Sequence, residues 1–210
     1  MTDHYKLLCD RWAERIAGLS QNELQTKLPE LHSLNNGLTL WHFDRQIYID
    51  FSNGQLKCIS DSNSLSINEM LNIYTLLWYC KDTASLSGQW LPFRSMKGAT
   101  PFAPAFEKNV LQSFSATFNG KESLLKTAVT RIGGSQINAN SYYVPAFACM
   151  PLRIQFWDGD DEFSAQGNIL FDKNATDFIH IESLVTIASQ CVVRLRSAVE
   201  LSATHPSYEP

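Results

Sequence analysis

The sequence lacks long hydrophobic runs, and no apolar stretch approaches the ~20 residues needed to cross a bilayer. Its N-terminus mixes charges among its apolar residues, which is typical of neither a secretory signal nor a membrane anchor. Charge is also scarce: 18% of the 210 residues are charged, and 17 Lys plus Arg against 21 Asp plus Glu give a net charge of −4. This balance disfavours a surface that neutralises phosphates. We expect a soluble protein that binds neither membranes nor nucleic acid.

Cysteine is sparse, and the five cysteines form no CxxC pair; they are Cys9, Cys58, Cys80, Cys149 and Cys191. Such spacing is not that of zinc or iron–sulfur sites and favours buried, reduced thiols in a cytoplasmic protein. The sequence also lacks the GxSxG, HExxH, GxGxxG and phosphate-loop motifs. The common motif-bearing enzyme classes are therefore not indicated, no cofactor is identified, and catalysis stays an open question.

What the sequence does contain is enough apolar material for one core. Hydrophobic residues make up 44% of the chain and aromatic residues 11%. We expect a single domain over residues 1–210, with a helical segment over 1–36 and a frayed tail over 203–210.

Helices and strands are predicted in separate groups. Ser66 and Glu69 form a capping box ahead of an apolar stripe that includes Trp78, which we expect to be buried. Strand-like runs over 38–59 are joined by turns at Asp44-Arg45 and Asn53-Gly54, and predict a three-stranded meander. Further strand-like runs cover 142–157 and 168–171. Because helices and strands do not alternate, the pattern predicts an α+β fold with an antiparallel sheet and amphipathic helices packed on it.

An acidic segment, Trp157–Phe163, places four carboxylates within five residues, and Asp172 follows it. The alternate carboxylates Asp158, Asp160 and Glu162 could converge on a hard cation such as calcium or magnesium, which needs oxygen ligands. Phe163 and Ile169 stand, however, where a calcium loop needs glycine and a bidentate acid. The pattern favours a turn over a metal site. The alternative is an enzyme that uses residues 158–172, in which Asp160, Glu162 and Asp172 hold a divalent metal or do acid–base work.

A loop over 86–105 offers complementary chemistry, because Arg94 can bind a carboxylate or phosphate beside aromatic rings. We expect Arg94 to lie within reach of residues 158–162. In one interpretation it pairs with them while Trp90 and Phe93 fill the core; in the other the two loops bind a ligand together. The predicted ligand-binding residues are Trp90, Arg94, Lys97, Asp160 and Glu162.

Two histidines invite structural interpretations. His42 lies on the same strand facet as Leu38 and Leu40, so we expect an interior or edge histidine with satisfied hydrogen bonds. His180 lies where the last helix should begin, and we expect a capping or surface role.

Several short blocks occur in a fixed order: LSGQW and FR within 86–94, PAF at 104–106, GG at 133–134, WDGDDEF at 157–163, ILFD at 169–172 and IES at 181–183. In these blocks the chain resembles the bacterial and archaeal family called domain of unknown function 3786, over about residues 70–195. The combination of WxGDxEF with ILFD is the more specific part of the resemblance.

The resemblance implies no established reaction. Members often occur beside corrinoid and iron–sulfur methyl-transfer systems, which implies an accessory role with a redox or corrinoid-system partner. Together with the residues above, we expect a non-catalytic binding or accessory protein for a small anionic ligand or a protein partner, with its oligomeric state open.

Overall fold

The computed structural model describes residues 3–203 and has an α+β architecture with two antiparallel sheets. The first sheet has the order β1-β2-β3-β4, and so follows the chain. Its strands are β1 (His32–Leu34), β2 (Gly37–His42), β3 (Arg45–Asp50) and β4 (Leu56–Cys58). The predicted meander is therefore confirmed, with one additional strand, β1, inside the segment expected to be helical.

The second sheet has the order β5-β9-β8-β7-β6, so that β5, which comes first in the chain, pairs with β9, which comes last. Its strands are β5 (Trp90–Pro92), β6 (Ser135–Asn138), β7 (Ser141–Phe147), β8 (Met150–Trp157) and β9 (Gln166–Asp172). Alternating burial along β8 shows that one face of this sheet is packed inward and the other faces solvent.

Helices supply the other layer. They are α1 (Asp3–Ala17), α2 (Gln21–Lys27), α3 (Ile67–Tyr79), α4 (Ala103–Phe106), α5 (Gln112–Phe118), α6 (Glu122–Arg131), α7 (Ala175–Phe178) and α8 (Ile181–Ala203). A 3-10 turn covers Phe93–Ser95, and a π-helical segment, Glu107–Leu111, joins α4 to α5. None of the helices described has the length and apolarity to span a membrane.

The core lies between the helices and the inner faces of both sheets. Ile187 and Cys191 of α8 are fully buried, as are Ile154 of β8 and Phe171 of β9. On the inner side Phe93 stacks on Phe106, with ring centroids 4.3 Å apart. The predicted α+β fold is thus confirmed. The tail expected over 203–210 lies outside the described residues, apart from position 203 at the end of α8.

Three details differ from the sequence expectations. Trp78 is 42% exposed, because the buried side of α3 is formed by residues such as Ile73 and Leu77. The first hairpin turns at Phe43-Asp44, with Arg45 already in β3, and Phe43 adopts a φ of 55°. Pro101 suits the first position of a helix, but the helix that follows it starts at Ala103.

Buried polar groups fix the junction between the sheets. The carbonyl of Ala146 accepts the N–H of Phe43 at 3.0 Å, and His42 donates to it from Nδ1 at 2.9 Å. His42 Nε2 then accepts from the amide of Asn72 at 3.4 Å. Burial lowers the pKa of His42 to about 4, so the ring is neutral at physiological pH. The expectation of an interior, hydrogen-bonded histidine is confirmed.

Candidate functional site

Asp172, at the end of β9, anchors the loop that precedes β5. The carboxylate is fully buried. Its Oδ1 accepts the N–H and the hydroxyl of Ser87 at 3.0 and 2.9 Å and the N–H of Asn174 at 2.8 Å, while Oδ2 accepts the N–H of Gly88 at 2.7 Å. Burial raises the pKa of Asp172, but these donors outweigh burial and hold the pKa below its usual value. Two separate sequence blocks, LSGQW and ILFD, are therefore joined by one carboxylate.

The acidic segment forms the turn between β8 and β9. Oδ1 of Asp158 accepts the N–H groups of Gly120 at 2.6 Å and Gly159 at 2.9 Å. Oδ1 of Asp160 accepts the N–H groups of Glu162 at 2.9 Å and Phe163 at 2.7 Å, which lower the pKa of Asp160. These carboxylates organise their own backbone, as turn aspartates commonly do. The turn interpretation of this segment is confirmed.

Asp160 and Asp172 lie at opposite ends of β9. A strand of seven residues spans about 20 Å, so the two carboxylates cannot coordinate one cation. Within the described residues, no group of three His, Cys, Asp or Glu side chains is placed to hold a metal ion. The metal site considered over residues 158–172 therefore has no geometric support.

Arg94 lies at the same end of β9 as the acidic turn. It occupies the 3-10 turn after β5 and is exposed. Among the ion pairs that the described residues form, none includes Arg94, so the expected pairing with the acidic segment is not made. Arg94 instead lines a cleft of about 260 Å³ with Trp157 and Gln166–Asn168.

The cleft continues along β9 into a second cavity of about 660 Å³. Glu107, Leu111, Gln166 and Gly167 line both cavities, so they form one groove, which we call the β9 cleft. Its helical wall includes the π-helical segment, a distortion that is frequent at functional sites. Gly167 lets this wall approach closely, because a Cβ at that position would lie 2.4 Å from a ring carbon of Phe114.

One edge of β9 is open in this cleft. β5 covers only Leu170–Asp172, and the chain turns away after Pro92. Lys173 donates its N–H to the carbonyl of Gln89, which sets the alternation of the ladder. By that alternation Gly167 directs its N–H and C=O groups to the uncovered side, whereas Ile169 is fully buried. Gly167 thus presents one backbone donor and one backbone acceptor to the groove.

The other predicted site residues are dispersed. Trp90 lies at the far end of β5, where Arg153 of β8 stacks on its ring with 4.5 Å from the guanidinium carbon to the centroid. Lys97 is exposed and, like Asp160 and Glu162, does not line the β9 cleft. The structure therefore brings Arg94 into a cleft, but not together with the rest of the predicted set.

Sequence reasoning missed Arg153 and the edge Gln166–Asn168. The alternation over 152–157 does place Arg153 on the outer face of β8, but its contact with Trp90 joins positions 63 residues apart. An open edge leaves no local signal, because it depends on where the neighbouring strand ends.

Comparison with known proteins identifies a family without an assigned activity. The family model described as "Domain of unknown function (DUF3786)" matches residues 23–194. No curated protein and no solved structure matches the chain.

Proposed function

The chain belongs to the family called domain of unknown function 3786, and we propose that it is a non-catalytic binding protein whose ligand is a short extended peptide segment of a partner protein. One observation carries the proposal: the open edge of β9 shares a cleft with the exposed, unpaired guanidinium of Arg94. The edge offers peptide hydrogen bonds, and the guanidinium offers charge.

The backbone geometry suits strand addition. An extended segment that pairs with an exposed sheet edge forms main-chain hydrogen bonds, while its alternate side chains enter neighbouring pockets. The open stretch of β9, Gln166–Asn168, accommodates about three residues, or ~10 Å of strand. The helical wall at Glu107–Leu111 encloses that stretch from one side, so an added strand would lie between strand and helix.

The charge of Arg94 determines which kind of peptide segment the cleft binds. Arg94 can bind a carboxylate through two parallel hydrogen bonds, and the adjacent Trp157 offers an apolar surface. We therefore propose that the segment carries a carboxylate, from Asp, Glu or a C-terminus, at its Arg94 end. A small free anion, the other ligand expected from the sequence, would use Arg94 but would leave the edge of β9 unpaired.

Two further proposals concern context. A partner from a redox or corrinoid system, which the family resemblance implies, stays a prediction.

We also propose a cytoplasmic location. It is supported by the five free cysteines, of which four are buried and Cys149 is partly buried. Burial raises the pKa of Cys80 to about 11, as expected for a thiol that stays protonated.

We expect Arg94→Ala to weaken peptide binding by roughly 10- to 100-fold, the range of a lost charge-assisted hydrogen bond. The probe is a displayed library of random heptapeptides selected on the immobilised protein. Selected peptides should share an acidic residue at one position, and their affinities for the variant and the parent are then measured by calorimetry.

Lys97→Ala is the matched control, because Lys97 is an exposed cation three residues away that does not line the cleft. It should leave affinity unchanged, and both variants should keep the parent Tm. Failure to select any peptide, or equal losses in the two variants, would refute the proposed function. A calcium or magnesium titration that saturates would instead favour the metal-dependent enzyme.

A further inference from the structure

Arg153 is a charged side chain that the protein itself does not neutralise. It projects from β8 on the solvent-facing surface of the five-stranded sheet, where it is partly buried. Its Nε is fully covered and has no hydrogen-bond partner, whereas the two terminal nitrogens are not covered in this way. Among the described residues, no carboxylate lies within ion-pair distance of this guanidinium. A partly desolvated cation without a counter-ion is unfavourable unless something else compensates it.

The guanidinium is held in a fixed place. It lies 4.5 Å from the centroid of the Trp90 ring. By register Arg153 pairs with Leu170 of β9, and Leu170 pairs with Pro92 of β5. The side chain therefore reaches across β9 to the ring. Stacking of this kind fixes the plane of the guanidinium and leaves its outer rim free for hydrogen bonds.

The nearest carboxylate by register does not serve as a counter-ion. Asp172 pairs with Trp90 across the strands, but its oxygens accept from Ser87, Gly88 and Asn174. On the other side of Arg153, the cross-strand neighbour in β7 is Tyr143. The direct cross-strand neighbours of Arg153, Leu170 and Tyr143, therefore supply no counter-charge.

We propose that Arg153 and Trp90 form a second binding site, specific for an oxyanion of the carboxylate or phosphate type. The terminal nitrogens of Arg153 bind the oxyanion, and Trp90 keeps the guanidinium oriented. Two half-buried amides, Gln155 and Asn168, pair across the strands in the next row of the same surface and supply additional donors. Asn168 also lines the β9 cleft, but Arg153 and Trp90 do not, so the site stands whether or not the cleft binds a peptide.

The test follows the Nε–H signal of Arg153 in proton–nitrogen correlation spectra. Its cross-peak is assigned by its loss in Arg153→Lys, and the titration uses Arg94→Lys protein so that the cleft contributes no second arginine. Sodium phosphate and sodium acetate are the two probes, and sodium chloride at matched ionic strength is the control. We expect a saturable shift of the Arg153 signal with at least one probe, and the anion that saturates at lower concentration identifies the chemistry.

Trp90→Leu should weaken that binding roughly two- to fivefold, the range of an exposed cation–π contact. Because Trp90 belongs to β5, the Tm of the Trp90→Leu variant is measured alongside. The titration of protein that keeps Trp90 decides the proposal without this variant. If sodium chloride shifts the Arg153 signal as much as the two probes do at the same ionic strength, the result indicates an adventitious ion only and overturns the site. An Arg153 signal that neither probe moves would also overturn it.

Discussion

Replacing Asp172 by alanine is expected to lower the free energy of unfolding by about 3 kcal/mol, since several amide N–H groups then lose their acceptor. Those groups belong to Ser87, Gly88 and Asn174. Urea unfolding measures the loss. Because the loop leads directly into β5, the variant should also loosen Trp90 and weaken the oxyanion site. A change below about 1 kcal/mol would show that the loop is held by other contacts.

The pH dependence of Asp172→Asn tests the same anchor without removing its volume. Since the folded pKa of Asp172 lies below its ordinary value of 3.8, ionisation stabilises the fold above about pH 4, and this contribution is lost as pH falls through the folded pKa. The stability difference between parent and variant should therefore be full at neutral pH and shrink in acid. A difference that is independent of pH would contradict the assignment.

Arg45→Ala is expected to lower the free energy of unfolding more, by about 3–5 kcal/mol, because it leaves the buried charge of Glu69 without a counter-ion. Arg45 is 3% exposed and donates to Glu69, itself 4% exposed, at 2.8 Å. It also forms a two-point contact with Asp61 at 2.9 and 3.0 Å, which lowers the pKa of Asp61 to about 2. Removing the guanidinium leaves Glu69 inside the protein without its cation. Urea unfolding again measures the effect.

A double variant, Arg45→Met with Glu69→Met, separates two causes of destabilisation: the unpaired charge of Glu69 and the loss of packing. Because both charges are gone, it should recover much of the stability that Arg45→Ala loses. The network joins β3 to α3 and lines neither cavity of the β9 cleft, so affinity for a selected peptide should not change in folded Arg45→Ala protein. Equal destabilisation in the single and double variants would show that lost packing, not charge, dominates.

Local chemistry was readable in the sequence where a few adjacent residues determine the backbone. The capping box of Ser66 and Glu69 is present, with both reciprocal hydrogen bonds. Gly54 adopts a φ of 71° in the predicted turn. At the start of α8, His180 Nδ1 accepts the N–H of Glu182 at 3.4 Å, as its expected capping role implies. These contacts span two or three residues, so adjacent residues in the sequence are enough to predict them.

Sequence patterns were misleading where tertiary packing determines the position of a side chain. Trp78 has the spacing of a core residue, but it packs edge-on to Trp12 at 6.2 Å near the surface. The carboxylates that suggested ligand chemistry, Asp158 and Asp160, bind backbone amides instead. For the β9 cleft, only Arg94 was identifiable in advance, because the open edge depends on how far β5 extends along β9.

Amide hydrogen exchange at Gly167 tests most directly whether β9 carries the ligand. In the free protein the Gly167 N–H group should exchange faster than that of Phe171, which lies opposite β5. A selected peptide at saturating concentration should slow exchange at Gly167 and leave Phe171 unchanged. A peptide that binds through Arg94 while the Gly167 amide exchanges as before would contradict strand addition and leave Arg94 as a site for a free anion.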